Sequence, residues 1–327
     1  MKAVIYTEYG STDVMRLAEV AKPVPKEGEV LIKVYAVSIN PWDWELLEGT
    51  PFVNRLLGGL RKPKRQILGS DIAGRVEAVG SGVTKWKPGD AVYGDISGRW
   101  GGFAEYVCAR DGSLAAKPVS MSFEEAAAIP QAAMLAVQGL RDLGQIRPGQ
   151  KVLINGAGGG VGTFGLQLAK LHEGVEVTGV DSAGKLEMMR AIGFDHVIDY
   201  KREDFTKSGR RYDLILDAKT NRSPLAYARA LRPNGTYVTV GGTMPRLVQA
   251  LVLGRLIARF NKKQIRIVAL KPNKDLAYMS ELFEAGKIKP VLDRPYTLEE
   301  VPEAMRYARA EEHKGKIVIT VARDDAD

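Results

Sequence analysis

The chain has 327 residues, 45% hydrophobic and 26% charged, with 47 Lys and Arg against 39 Asp and Glu for a net charge of +8. That length exceeds one ordinary core and predicts two domains, while a single cysteine rules out an internal disulfide or a multi-cysteine zinc site. No stretch reaches the roughly eighteen uninterrupted apolar residues of a membrane span, and the dispersed cations lack the interleaved aromatics of a nucleic-acid surface.

The first residues, MKAVIYTEYG, do not have a signal peptide's layout, and a cytoplasmic location is the expectation. Residues 2–7 and 30–38 alternate as strands, separated by turns at Pro23, Pro25 and Gly28. Asn40, Pro41, Trp42, Asp43 and Trp44 follow as a polar and aromatic loop, a place where pockets are built. Residues 49–65 are irregular and basic and read as a flap or a loop with a short helix. Strands at 75–79 and 91–93, with Gly and Pro turns, complete a small β-rich barrel through residue 122. Ser122, Phe123, Glu124 and Glu125 form a capping sequence, which predicts a helix to Ile129 and a second over 132–143.

A different pattern starts at Lys151. The apolar run Val152, Leu153, Ile154 leads into a glycine-dense turn, Gly156 to Gly162, then an amphipathic helix to Leu171 and a second apolar run over 175–180 ending at Asp181. A strand, glycine turn and helix in this order present free N–H groups to an anion, so Gly158, Gly159, Gly160, Val161 and Gly162 are candidate pyrophosphate contacts. Aligned as a dinucleotide motif the turn reads Ala157, Gly159, Gly162, with Ala in the first position; Asp181 is the acid expected at the end of the next strand.

Helices expected at 185–192, 224–231 and 247–260 alternate with strands at 196–199, 213–218, 237–241 and 265–270. Six strands in all describe an α/β fold with a doubly wound parallel sheet and a ligand crevice at the strand C-termini. The 247–260 stretch is apolar with two arginines and reads as a buried or lid helix in preference to a membrane-surface one. The tail brings helices at 275–284 and 298–310 and strands at 290–292 and 317–321, too few for a domain of their own. The expected organisation is therefore 1–122, 123–270, and a 271–327 segment that returns to complete the first domain.

Five separated motifs carry a resemblance: GSDIAGRVEAVG at 69–80, KPGDAV at 87–92, GFAEYV at 102–107, the turn at 156–162, and GKIVIT at 315–320. In this order they resemble the medium-chain dehydrogenase/reductase superfamily, and the chain is similar to its zinc-free quinone oxidoreductase and alkenal (enone) reductase branch over essentially its full length. The resemblance implies a Rossmann nucleotide domain beside a GroES-like barrel, a homodimer, and hydride transfer from NADPH to a quinone or an α,β-unsaturated aldehyde or ketone. The zinc-free reading also rests on the residues themselves. Catalytic zinc needs three ligands from Cys, His, Asp or Glu, and none of the three histidines, nor Cys108, lies in the loop holding Asn40 and Asp43. Cys108 itself reads as a packed strand residue.

Carried over residue by residue, the resemblance places Asn40 and Asp43 on the substrate side and Tyr93 near the nicotinamide ring. It assigns Ser182, Lys185 and Tyr200 to the 2′-phosphate of NADPH, and Gly241, Gly242 and Lys316 to the cofactor as well. Asp181 would favour NADH, which stays open. Leu135 stands where related sequences often carry Thr, and Trp44 where a tyrosine is frequent. Both are compatible with an alternative function, a nucleotide-binding redox sensor or interaction protein with little activity.

Overall fold

Alternation along the first hundred residues makes strands whose inward side chains share one core. The computed structural model describes residues 1–323 and separates into two units, Met1–Gln131 with Pro272–Asp327, and Ala132–Lys271. In the first unit β1 (Lys2–Ile5) pairs antiparallel with β2 (Arg16–Glu19), and β3 (Glu29–Ser38) is the long central strand, buried at nearly every position. Two short helices, α1 (Pro41–Glu48) and α2 (Val53–Gly58), precede β4 (Asp71–Val79), β5 (Ala91–Asp95), β6 (Tyr106–Arg110) and β7 (Ala115–Ala116). β3 pairs antiparallel with both β4 and β6, and β4 with β5. The register puts Ser38 opposite Asp71 and Asp71 opposite Asp95, so three polar residues form one row across three strands.

The residues expected as a loop after β3 are helical. Pro41 at the first position and Asp43 two residues on make an N-terminal box, in which the Asp43 carboxylate accepts the Asn40 N–H at 2.8 Å. The segment at 49–65 contains α2, whose Arg55 lies over the Tyr9 ring and donates to the carbonyls of Glu48 and Gly49.

Helix α3 (Phe123–Ala128) starts at the box read from the sequence: Ser122 Oγ accepts the Glu125 N–H at 3.1 Å, and Glu125 accepts the Ser122 N–H at 3.0 Å. Phe123 stacks on Tyr35 of β3 at 4.4 Å, and Glu124 accepts from Thr320. These contacts assign α3 to the first unit, so the boundary falls at 131/132 and not after 122. The chain passes into the second unit within α4 (Pro130–Val137).

There β8 (Lys151–Asn155), α5 (Gly160–Lys170), β9 (Glu176–Asp181), α6 (Leu186–Ala191), β10 (His196–Asp199), β11 (Tyr212–Asp217), α7 (Pro224–Ala230), β12 (Leu231–Thr239), α8 (Met244–Asn261) and β13 (Gln264–Ile267) alternate as expected. The six strands are all parallel, in the order β10-β9-β8-β11-β12-β13. This is a doubly wound Rossmann sheet, and its order reverses between β8 and β11, where such sheets bind ligands at the strand C-termini. Leu153, Val180, Ile215 and Tyr237 from four strands pack with Phe205 and Tyr227 to fill one face. Of the two readings for the 247–260 stretch, a buried or a lid helix, α8 is not the first: Ala250 and Ile257 face inward, but most of its large apolar side chains are exposed.

The return consists of α9 (Leu276–Glu284), β14 (Tyr296–Thr297), α10 (Val301–Arg309) and β15 (Val318–Thr320). β15 pairs antiparallel with β3, Val318 opposite Ser38, and β14 extends that sheet of the barrel-like first unit. The strand expected at 290–292 reduces to a single bridge between Leu292 and Lys316.

Candidate active site

In the second unit the turn after β8 is set by Gly156, whose φ of 82° is a conformation that L side chains rarely adopt. Helix α5 follows with Gly159 at its N-cap and no side chain capping it, so its first-turn N–H groups and dipole are directed at whatever anion occupies the turn. A Cβ on Gly162 would collide with the backbone of Ala157. That close approach lets the helix start tight against the strand and fits the turn to a dinucleotide pyrophosphate.

Asp181 and Lys185 complete the edge of this cradle. The Asp181 carboxylate accepts the Gly158 N–H and the Ser182 N–H, each at 2.8 Å, and lies 3.6 Å from the Lys185 ammonium. Both side chains are buried, and the Lys185 stem lies over Gly158, where an added Cβ would meet its Cδ at 2.7 Å. Register between β9 and β10 sets Asp199 opposite Asp181, so Tyr200 donates its backbone N–H to the Asp181 carbonyl with its ring 41% exposed. Gly158 to Gly162, Asp181, Ser182, Lys185 and Tyr200 are thus brought to one place.

Sequence reasoning missed a polar row beside it. Asn155, Asp217 and Thr239 are in register at the ends of β8, β11 and β12. Asp217 is completely buried and accepts from Asn155 Nδ2 (2.8 Å), the Lys219 and Thr220 N–H groups (2.9 and 3.0 Å) and Tyr237 Oη (2.8 Å). Burial, then the neighbouring Asp217, push the Tyr237 hydroxyl well above its ordinary pKa, so it stays a donor. The signal was available as one acid closing the apolar run YDLILD. Gly241 and Gly242 follow β12, where Thr220 and Thr239 both donate to the Gly241 carbonyl.

The first unit holds a second buried cluster, which takes up Asn40, Asp43 and Lys316. Lys316, expected at the cofactor, is 6% exposed and donates to the Ile39 carbonyl (2.9 Å) and Asn40 Oδ1 (2.6 Å). Burial lowers its pKa, opposed by Asp71, Asp43 and Asp95. Asp43 is fully buried, its carboxylate taken up by the N–H groups of Asn40 and Gly69. Burial pushes it up to about 7 against those two bonds and Lys316. Tyr93 does not join the cluster: its hydroxyl donates to the Leu276 carbonyl at 3.0 Å and shares a 2.8 Å bond with Ser280. Burial raises it to about 12, so it stays a neutral hydroxyl that ties β5 to α9.

Asp71 and Asp95 were not foreseen as members. Burial and then Asp95 push Asp71 up to about 7, while burial raises Asp95. One oxygen of each, and the Gln131 amide nitrogen, have no partner among the described residues. Three carboxylates facing one ammonium in a dry interior cannot all be ionised.

A zinc ion does not fit these residues. Asn40 and Ser70 offer an amide and a hydroxyl, and the Lys316 cation already sits on Asn40 Oδ1. Among the described residues no group of three His, Cys, Asp or Glu is placed to hold a metal. Cys108 is half-buried, and burial, then Glu29, push its thiol up to about 11, which fits a packed strand residue.

The family profile described as zinc-binding dehydrogenase matches residues 192–319, and that of the alcohol dehydrogenase GroES-like domain matches residues 26–119. The chain is 34% identical to 2-methylene-furan-3-one reductase of Solanum lycopersicum, covering 98% of this chain and 79% of that one. It is 30% identical to the NADPH-dependent alkenal/one oxidoreductase, chloroplastic, of Arabidopsis thaliana, with the same coverages of 98% and 79%. The solved quinone oxidoreductase of Coxiella burnetii superposes with a TM-score of 0.85 at 29% identity, over 98% of this chain and 99% of that one.

Proposed function

We propose that this chain, which belongs to the medium-chain dehydrogenase/reductase superfamily in its quinone oxidoreductase and alkenal (enone) reductase branch, is a zinc-independent, NADPH-dependent reductase of conjugated acceptors. It is an oxidoreductase by that membership. The observation that carries the cofactor reading is the Asp181–Lys185 pair against Gly158. Two backbone amides and the ammonium occupy the Asp181 carboxylate, which would otherwise repel a 2′-phosphate, while Lys185, the Ser182 hydroxyl and Tyr200 supply donors for one. NADH remains the second cofactor to test.

Bound there, a nicotinamide dinucleotide supplies a hydride. The α5 amides would hold its pyrophosphate, and Gly241 and Gly242 leave the end of β12 free of side chains. The acceptor class follows from the state of the residues assigned to the substrate side. Asn40, Asp43 and Tyr93 are all engaged in internal bonds, so none of these three is a ready proton donor. A quinone or an unsaturated aldehyde or ketone gives a product anion stabilised by conjugation and asks least of such a site. The names of the relatives point to the same substrates. β13 pairs with β12 alone, and we read its open edge as the one shared by two copies in a homodimer.

The test is oxidation of NADPH and of NADH, side by side, with an unsaturated aldehyde, an unsaturated ketone, a quinone and a saturated aldehyde. Turnover with NADPH confined to the three conjugated acceptors is expected. Tight nucleotide binding without turnover on any acceptor would instead favour the redox-sensor reading, to which the internal commitment of Asp43 and Tyr93 also lends support.

A further inference from the structure

We propose that α8 docks the protein onto an anionic phospholipid bilayer, lying in the headgroup layer without crossing it. Met244, Val248, Leu251, Val252 and Leu256 recur at helical spacing and share one face, exposed by 53, 51, 63, 59 and 50%. The opposite face is the packed one: Ala250 and Ile257 are buried at 3 and 2%, and Gly254 lies against Ile265 of β13. A row of half-exposed large aliphatic side chains on one helix is more than scattered surface residues, and it marks a surface that meets something apolar.

The charges say what kind of surface. Arg255 and Arg259 lie on the outward face and are exposed, and neither forms an ion pair among the described residues. The helix contains no Asp or Glu. A second copy of this face is a poor occupant, because a two-fold contact would set arginines against arginines with no carboxylate to answer them. A bilayer with anionic lipids answers both features: the aliphatic row enters the acyl boundary while the arginines reach up to the phosphates. No helix among the described residues is long and apolar enough to cross a membrane, which leaves the helix on the surface.

The test is flotation of the full-length protein with vesicles of phosphatidylcholine alone or of phosphatidylcholine with phosphatidylglycerol, at low and high salt. The wild type is expected to float only with the anionic vesicles and to be released by salt. Arg255→Gln with Arg259→Gln should lower partitioning about thirtyfold, roughly a factor of five per arginine at a charged surface. Leu251→Ser with Val252→Ser should lower it at least as much, with NADPH-driven turnover intact in both variants. If either double variant fails to fold, the other decides.

Three results would overturn the proposal. One is no flotation of the wild type. Another is equal flotation of wild type and variants, which would reduce the effect to adsorption by the overall charge of +8. The last is a wild-type dimer that the variants dissociate, with vesicles ignored, which would make this face a contact between copies.

Discussion

The Lys185 ammonium lies 3.6 Å from the Asp181 carboxylate and the stem of the same side chain covers Gly158, so one residue both neutralises the acid and closes the rim of the cradle. A phosphate arriving at Ser182 and Tyr200 would compete with Asp181 for that ammonium, and the carboxylate would keep its two amide donors. Lys185→Ala should therefore act on the phosphate-bearing cofactor selectively. A charge-assisted hydrogen bond is worth roughly 1.5–3 kcal/mol, so KM for NADPH should rise about ten- to a hundredfold with kcat nearly unchanged. KM for NADH should move far less. The measurement is steady-state kinetics with each nucleotide against one quinone. An equal loss for both cofactors would place Lys185 in the structure of the cradle and not in its choice of ligand.

At the scale of elements, α5 and its turn test the backbone part of the site. Gly159 has φ −94°, and a Cβ there would meet nothing in the chain nearer than the Gly156 carbonyl oxygen at 3.6 Å. Gly162 has the Ala157 backbone in the way. Gly159→Ala should melt near the wild-type temperature while weakening NADPH binding, because its methyl projects where the pyrophosphate would sit. Gly162→Ala should lower stability itself, by about 1–3 kcal/mol, the usual penalty for forcing a methyl into packed backbone. Thermal melts with and without NADPH separate the two. This element was legible from sequence because its chemistry is local: an apolar run, glycines at fixed offsets, an amphipathic helix and a terminal acid occupy about thirty consecutive residues. The capping box at Ser122 was legible for the same reason. The N-terminal box at Asn40 and Asp43 carried the same kind of signal, but two tryptophans around the acid suggested a pocket loop. The bonds of Lys316 were not legible, because its partners, Ile39 and Asn40, lie 277 and 276 residues away in the chain, and only the pairing of β15 with β3 brings them together. Nor was the tie of Tyr93 legible, because its hydroxyl meets Leu276 and Ser280 of the returning α9, contacts that no local pattern announces.

At the scale of the whole molecule, the buried acids of the first unit make the chain's stability depend on pH near neutrality. Asp43 and Asp71 are both pushed from 3.8 up to about 7, chiefly by burial. Between those two values the folded chain still holds protons on them that the unfolded chain has released. Folding takes up protons across that window, so the contribution of these groups is fully present below it and is lost as pH rises toward 7. Asp71→Asn isolates the effect. An amide oxygen can still accept the Gln131 N–H at 3.0 Å and the Ser38 hydroxyl at 3.5 Å, while the charge that burial disfavours is gone. The variant should be no less stable than the wild type at about pH 8, and its loss of stability between about pH 5 and about pH 8 should be smaller by on the order of 2 kcal/mol. Denaturant unfolding at the two pH values measures this directly, and groups elsewhere in the chain cancel in the comparison. Asp95 faces the same row, so relief at Asp71 also removes the like charge that disfavours ionisation beside it. An unchanged pH slope would mean that Lys316 already keeps Asp71 ionised through this range, and that the proton held in this interior sits on Asp43 or Asp95 instead.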